Sequence, residues 1–195
     1  MPIFLLAQND NQFKYRTGVG IGFGIGKSEI KTDNATFFGN SSTFSVRGDF
    51  SFKNGIFLHS GIDLLTINFN SLANNNFNSN VVTILKTPIK IGYSFNLDKE
   101  NKSNIRLLPQ AGFYYSTLLS LKQTNSSGNS ITDKQLGGNF GFITGLGISF
   151  DVSSALYSII SFNRSTDFDS VKSINFNNLK IENDQTINLS FGYLF

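Results

Sequence analysis

The sequence predicts an all-β chain that folds as an eight-stranded antiparallel up-and-down transmembrane β-barrel, with short periplasmic turns and longer extracellular loops. Three observations lead to this prediction. Apolar and polar residues alternate along the strands, long and short connections alternate along the chain, and the composition contains little charge.

The composition narrows the possible classes of protein. Charged residues make up 15% of the chain, whereas phenylalanine contributes 21 residues and glycine 18, which is typical of strands joined by polar loops. The absence of cysteine excludes disulfides, thiol nucleophiles and zinc–thiolate sites. A net charge of +3, with scattered basic residues, does not indicate a nucleic-acid surface. No apolar run is long enough for a transmembrane helix, but the signal of a membrane barrel is weaker per strand.

The first residues resemble the end of a secretory signal, since an apolar stretch leads to the small residue Ala7. We therefore predict a signal-peptide remnant at residues 1–7 and a single outer-membrane barrel domain at residues 8–195.

Strand one is predicted at residues 14–27. One face runs from Tyr15 to Ile25 and is apolar or aromatic except at Thr17, and the other carries Arg16 followed by five glycines. We interpret the glycine face as space for bulky side chains from opposite strands inside a narrow barrel. The glycine spacing fits neither a dinucleotide-binding fingerprint nor a phosphate-binding loop.

Strand two at residues 43–52 and strand three from residue 56 form a predicted hairpin. Keeping both apolar faces on one side requires a three-residue loop with Gly55 in the left-handed conformation. This register places Asp49 opposite His59 and places Arg47 diagonally to His59 and Asp63, all on the inward face.

Four further strands are predicted at residues 82–97, 105–121, 136–150 and 155–165. Lys86, Lys90 and Arg106 fall on inward faces, whereas the alternation of strand seven is too poor to assign its faces. Polar stretches up to residue 42 and at 69–80, 123–135 and 167–183 are predicted as long extracellular loops, separated by short turns.

The last strand, residues 185–195, alternates strictly between apolar or aromatic residues and small polar ones. A chain that ends this way on an aromatic residue is typical of outer-membrane barrels. We predict that Phe191, Tyr193 and Phe195 form a C-terminal assembly signal.

The inward ionisable residues are the candidate functional site, and we expect them to form a paired polar plug in the lumen. The set is Arg16, Arg47, Asp49, His59, Asp63, Lys86, Lys90 and Arg106. A path for protons or small ions, or a ligand pocket near the extracellular mouth, remains open as an alternative. Catalysis is not expected, because His59 and Ser60 are neighbours on a strand and point to opposite faces. The acids are dispersed, so no metal or cofactor is expected.

Several segments resemble a known family when taken together. They are residues 84–93, 108–116, 141–149 and 187–195, and the resemblance extends over residues 14–195. The chain resembles the small outer-membrane β-barrel domain of Bacteroidota, known as PorT-like or "porin family". The resemblance implies an outer-membrane location, and the PorT branch is tied to protein secretion and gliding. Residues 155–158 depart from the family pattern of an acid and an Arg-Tyr pair in strand seven.

The predicted function is that of an integral outer-membrane barrel with a structural or surface-binding role, a narrow plugged lumen and no catalysis. Expected partners are outer-membrane lipid or lipopolysaccharide, the barrel-assembly machinery through the C-terminal strand, and an extracellular protein or glycan through the loops. Two membrane alternatives are a small-solute or ion pore and a secretion-associated component. A secreted lipocalin-like ligand carrier is a further alternative, which would require the apolar faces to point inward.

Overall fold

The computed structural model describes residues 15–33, 35–70, 77–97, 105–134, 137–171 and 178–195. The predicted signal-peptide remnant at residues 1–7 lies outside these ranges and stays a prediction. Within them the chain forms the following strands: β1 (Tyr15–Thr32), β2 (Thr36–Phe52), β3 (Ile56–Phe69), β4 (Phe77–Tyr93), β5 (Phe95–Asn96), β6 (Ile105–Asn125), β7 (Ser130–Lys134), β8 (Gly138–Asp151), β9 (Leu156–Asp167) and β10 (Leu179–Leu194). No helix in this part of the chain is long and apolar enough to cross a membrane.

Eight of these strands form a closed antiparallel ring in the order β1–β2–β3–β4–β6–β8–β9–β10. The ring closes because β10 pairs with β1 from Leu194 to Leu179. The short strands β5 and β7 pair with opposite ends of β6. The predicted fold of eight antiparallel strands in a barrel is therefore confirmed.

The hairpin between β2 and β3 has the predicted geometry. Gly55 has a φ of 91°, and its amide donates to the carbonyl of Phe52 at 3.1 Å. A residue with a side chain is strained in this conformation, so glycine fixes the turn and hence the register. Asp49 lies directly opposite His59, as predicted. We call the end of the barrel with this tight turn the periplasmic end.

The lower part of the barrel points its apolar side chains outward. Along β1, Val19, Ile21, Phe23 and Ile25 are exposed by 52%, 47%, 55% and 73%, while Gly18 to Gly24 on the alternate positions face the interior. Such an outward apolar band suits lipid contact and contradicts the alternative of a secreted carrier with apolar residues inside.

Glycine on the inner face of β1 leaves space for a neighbour, as predicted. A Cβ atom at Gly20 would lie 3.2 Å from the Nε atom of Arg47 and 2.7 Å from the carbonyl oxygen of Phe191. The missing side chain therefore makes room for a charged group in the lumen.

The strands run further toward the extracellular end than the sequence predicted. The expected loop up to residue 42 is wrong, because β1 continues to Thr32 and β2 already begins at Thr36. Likewise, β10 begins at Leu179, and β7 lies inside the stretch predicted as a loop at 123–135. Strand four was expected to reach residue 97 without a break, but β4 ends at Tyr93 and the short β5 follows.

In this upper region the polar and apolar faces exchange sides. Along β3, Ile62 and Leu64 are exposed, whereas Ile67 is fully buried and its neighbour Asn68 is exposed. Along β1, Ile30 is fully buried while Lys31 is exposed. We call this upper region, formed by residues 27–42, 65–84, 117–134 and 171–183 as far as they are described, the extracellular extension. The remainder of the barrel is the membrane half.

Candidate functional site

The predicted ionisable residues line the lumen of the membrane half. Asp49, His59 and Lys86 are buried, while Arg47, Asp63, Lys90 and Arg106 are half-buried. Arg16 is exposed, and its side chain lines the cavity at the periplasmic end rather than joining the interior cluster. The strict alternation of strands β2, β3, β4 and β6 brings these side chains inside the ring.

A lower polar layer is centred on Asp49. Its Oδ2 lies 3.2 Å from the Nε of Arg47, and its Oδ1 lies 3.1 Å from the Nε2 of His59. The Nδ1 atom of His59 lies 3.0 Å from the Oε1 of Gln110, whose amide nitrogen donates to Asn163 at 3.1 Å. The layer therefore runs from β2 through β3 and β6 to β9.

Tyr157 completes the lower layer from the far wall. Its hydroxyl donates to the Asp49 carboxylate, and the Arg47 guanidinium lies 5.6 Å from the centre of its ring. A cation over an aromatic face is attracted by the ring quadrupole, so Tyr157 holds both members of the Arg47–Asp49 pair.

An upper polar layer is centred on Asp184. The Lys86 ammonium donates to its Oδ2 at 3.2 Å and to the Ser165 hydroxyl at 2.9 Å, and the Ser28 hydroxyl donates to its Oδ1 at 2.6 Å. Lys86 also lies 4.8 Å from the ring centre of Tyr114. Lys86 and Asp184 are both about 6% exposed, so this is a buried ion pair supported by hydroxyl donors.

Asp167 extends the upper layer toward the extracellular extension. It accepts a hydrogen bond from the Tyr114 hydroxyl at 2.6 Å and another from the amide of Ile181 at 2.9 Å. The carboxylate thus ties β6, β9 and β10 together across the lumen.

Arg106 forms a separate ion pair near the periplasmic end. It contacts Asp151 and donates to the Ser149 hydroxyl at 3.3 Å. Its side chain is 28% exposed, so this pair is partly solvated and contributes less than a buried pair.

Two small cavities flank the lower layer. The upper one, of about 60 Å³, is lined by Asp63, Lys86, Lys90 and Asp184 as well as by Arg47 and His59. The lower one, of about 70 Å³, is lined by Arg16, Asp49, Arg106 and Tyr157. Each is lined by several polar side chains among apolar ones and has room for a few water molecules. Lys90 and Asp63 thus face the upper cavity, on β4 and β3, instead of joining the Asp49 network.

Above the upper layer the interior becomes mainly apolar, although it also holds the buried hydrogen bond from Gln123 to Asn80. A cluster of twelve buried apolar residues fills the extracellular extension, and we call it the apolar cap: Ile30, Phe37, Leu65, Ile67, Phe69, Val82, Ile84, Leu118, Leu121, Val171, Leu179 and Ile181. The predicted polar plug therefore describes only the membrane half of the lumen.

Several members of the site are not indicated by the sequence pattern. Asp184 and Asp167 fell at the edges of a predicted loop, and Tyr157 lies on the strand whose faces could not be assigned. Tyr114 faces inward, but an aromatic residue in strands that carry their aromatic residues outward gives no sign of a polar role. In the described part of the chain, no group of three or more histidine or acidic side chains could hold a metal ion.

The residues of the predicted assembly signal occupy the outer surface of β10. Phe191, Tyr193 and Phe195 are exposed by 50%, 48% and 38%, and the rings of Tyr193 and Phe195 lie 5.3 Å apart. They form part of the lipid-facing surface at the periplasmic end, and their role in assembly stays a prediction.

Comparison with solved structures shows the same architecture in outer-membrane proteins. A major outer membrane protein from Thermus thermophilus aligns with a TM-score of 0.62 and 11% identity, over 94% of this chain and all of that one (100%). OprG from Pseudomonas aeruginosa aligns with a TM-score of 0.54 and 13% identity, over 92% and 95%. Ail, the attachment invasion locus protein of Yersinia pestis, aligns with a TM-score of 0.51 and 15% identity, over 94% and 100%. At such low identity these likenesses establish the fold alone.

The sequence itself matches a family model. A search of curated proteins finds no match, but the model of the outer membrane protein beta-barrel domain matches residues 3–195. The outward apolar band, the closed ring of eight strands and this match agree with one another. The chain belongs to the outer membrane protein beta-barrel domain family and resides in the outer membrane of Gram-negative bacteria.

Proposed function

We propose that this protein is a non-catalytic outer-membrane barrel with a closed lumen, whose extracellular extension provides a structural or binding surface. The observation that carries the proposal is the apolar cap, which continues the interior above the two polar layers. The position of His59 inside the lumen, with Ser60 on the opposite face of β3, supports the absence of a nucleophile–base pair.

The closed lumen follows from the cost of moving an ion through the cap. Ile30, Ile67, Val82 and Leu121 are fully buried there, so a passing ion would lose most of its hydration. The amides of Asn80 and Gln123, which are buried in the same region and bonded to each other, offer it no charged partner. Apolar constrictions of this kind block conduction by excluding water. Closure at the cap argues against the small-solute or ion pore.

Conductance of the purified protein in planar lipid bilayers tests the closed lumen. Wild-type protein should show no stepwise current, whereas the double variant Ile67→Ser/Leu121→Ser, which makes the cap polar, should leak. Ile131→Ser is the matched control, because Ile131 lies on β7 and is 52% exposed. Steady current steps from wild-type protein at the level of the double variant would contradict the proposal.

The outer face of the extension supports a binding role. Asn40 on β2 lies directly opposite Asn68 on β3, and both side chains are exposed above the lipid-facing residues of their strands. Amide side chains of this kind both donate and accept hydrogen bonds, which suits a glycan or a protein surface. The likeness to Ail, crystallised with the heparin analogue sucrose octasulfate, adds support for a ligand outside the cell.

Binding of nanodisc-embedded protein to arrayed glycans and extracellular proteins tests this role. The double variant Asn40→Ala/Asn68→Ala should reduce capture of any ligand that wild-type protein retains. Asn54→Ala, at the opposite end of the barrel, is the control and should leave capture unchanged. Equal capture by both variants would remove this face from consideration.

We also propose the narrower PorT-like relationship and a place in protein secretion, on the strength of the resemblance at residues 84–93, 108–116, 141–149 and 187–195. Deletion of the gene should then reduce the secreted protein pool in the native organism, while the outer membrane stays intact. An unchanged secreted pool would favour the surface-binding role.

A further inference from the structure

A row of polar side chains ends the lipid-facing band on three neighbouring strands. Lys27 on β1 pairs with Gln185 on β10, and Gln185 pairs with Arg164 on β9. All three side chains are exposed on the outer surface. We call them the cationic row.

The residues two positions below the row are all apolar and exposed to lipid. Ile25, Ile187 and Phe162 are exposed by 73%, 58% and 47%, and they pair with one another in the same order as the row above them. The surface therefore changes from apolar to cationic in one step across β1, β10 and β9. Because the step lies toward the extracellular end, it meets the headgroups of the outer leaflet.

The geometry of the row allows two cations to reach one anionic headgroup. Strands are spaced roughly 4.8 Å apart, so the backbones of Lys27 and Arg164, two strands apart, are separated by roughly 10 Å. Both long side chains span part of this distance, with the Gln185 amide between them. Asn183 accepts a hydrogen bond from the Arg164 Nε at 2.9 Å, which orients the guanidinium on this surface.

The cations around the row, Lys27, Arg164 and Lys180, outnumber the acids near it. Glu182 is paired with Lys180, at 3.3 Å. Glu29, the next outward residue of β1, lies above the row on the water side and pairs in register with Asn183. Two cations therefore face the lipid boundary, where an anion would be bound by charge-assisted hydrogen bonds.

An aromatic surface stands next to Arg164. Thr166, two residues above Arg164, pairs in register with Phe142, whose ring lies 5.5 Å from that of Phe113. Phe113 in turn lies 6.2 Å from Phe168, and all three rings are exposed. By register Phe142 lies on the extracellular side of Arg164, so these rings form part of an aromatic girdle that places the row at the level of the lipid headgroups.

We propose that the cationic row binds a phosphate group of lipid A in the outer leaflet, while Ile25, Ile187 and Phe162, two positions toward the membrane interior, contact its acyl chains. This inference is independent of the closed lumen, because none of these side chains faces the interior. Lipid A rather than a phospholipid is the occupant, since the row lies on the extracellular side of the band, where lipopolysaccharide forms the outer leaflet.

Native mass spectrometry of the detergent-solubilised barrel tests the proposal, with purified bisphosphorylated lipid A as the probe. The double variant Lys27→Gln/Arg164→Gln should lower the affinity by about tenfold or more, since two charge-assisted contacts are lost. The control Lys53→Gln/Lys122→Gln removes the same charge from the exposed periplasmic turn and from β6, and should bind within about twofold of wild type.

Dephosphorylated lipid A and phosphatidylglycerol serve as comparison probes. Wild-type protein should bind both at least about tenfold more weakly than bisphosphorylated lipid A. A slower-migrating boiled band for every variant confirms that all of them are folded. Equal lipid A binding by the row variant and the control, or equal binding of phosphatidylglycerol and lipid A by wild-type protein, would overturn the proposal.

Discussion

The membrane half and the extracellular extension are built from the same strands with opposite polarity. In β3 the inward side chains change from His59 and Asp63 to Leu65 and Ile67 without a break in the strand. The outward side chains change in the reverse sense, from Leu64 to Asn68. The surroundings of the barrel differ in the same way, since lipid lies outside the lower region and water outside the upper one.

The two regions are therefore stabilised by different interactions. Most apolar side chains of the membrane half face lipid, which is about as apolar as they are. Its interior is therefore organised mainly by ion pairs and hydrogen bonds, beside a small buried cluster of Phe57, Leu108 and Ile159. The extension buries its apolar side chains away from water, and each fully buried one contributes about 1.5–3 kcal/mol. The membrane half is thus built like a membrane barrel, whereas the extracellular extension of the same strands is built like a water-soluble β-barrel.

The largest expected effect comes from a charge in the apolar cap. Ile67→Asp should unfold the extension at a cost of about 4 kcal/mol or more, because a carboxylate there has neither water nor a partner. Hydrogen exchange should show lost protection in residues 65–69 while strand β9 stays protected. Asn68→Asp, one residue away on the exposed face, is the control. Equal amide protection of residues 65–69 in the two variants would contradict the burial of Ile67 in the apolar cap away from water.

Breaking the buried ion pair should affect the membrane half nearly as strongly. Lys86→Met leaves Asp184 buried without its cation and should cost about 3–5 kcal/mol, measured from the urea unfolding midpoint in lipid vesicles. The double variant Lys86→Met/Asp184→Leu should recover most of this loss, because both charges are gone. A double variant as unstable as the single one would show that the pair is not the cause.

A smaller loss is expected in the lower layer. Asp49→Ala removes the group shared by Arg47, His59 and Tyr157, and should lower the free energy of unfolding by about 1–3 kcal/mol. The effect is moderated because the adjoining cavities have room for water that can solvate the groups left behind. Ser51→Ala, two residues toward the periplasmic end, serves as the reference. An unchanged midpoint for Asp49→Ala would contradict the network around this carboxylate.

The smallest effect on stability is expected from deletion of Phe195, which should instead reduce the amount of barrel that reaches the outer membrane. The residue lies at the end of the lipid-facing surface of β10, so its loss removes little packing. Immunoblots of membrane fractions measure the effect, with Phe38→Ala in the extension as the control. Normal assembly of the truncated chain would remove Phe195 from the proposed signal.

The sequence was most informative where alternation is strict. The β2–β3 register and the Asp49–His59 contact follow from two alternating strands and the glycine at position 55. The Asp184 site was missed because β10 has an irregularity opposite Glu29 and Ile30, which turns both Ile181 and Asp184 inward although they are three residues apart. The inward and outward faces of β9 could not be assigned from the sequence because two adjacent isoleucines point in opposite directions. Ile159 faces the lumen and Ile160 faces outward. The sequence predicts loops in the extension because most of its outer face, apart from residues such as Phe38 and Ile131, is polar and resembles loop composition.

Reactivity of single cysteines with a membrane-impermeant thiol reagent tests the exchange of faces most directly, since the native chain contains no cysteine. Three positions in β3 suffice: Leu58 faces lipid, Ile67 lies in the apolar cap and Asn68 lies on the outer face of the extension. In folded protein on whole cells, Asn68→Cys should react rapidly, while Leu58→Cys and Ile67→Cys stay unmodified until the protein is unfolded. Rapid modification of Ile67→Cys together with protection of Asn68→Cys would mean that the faces do not exchange, and the account of a capped lumen would fail.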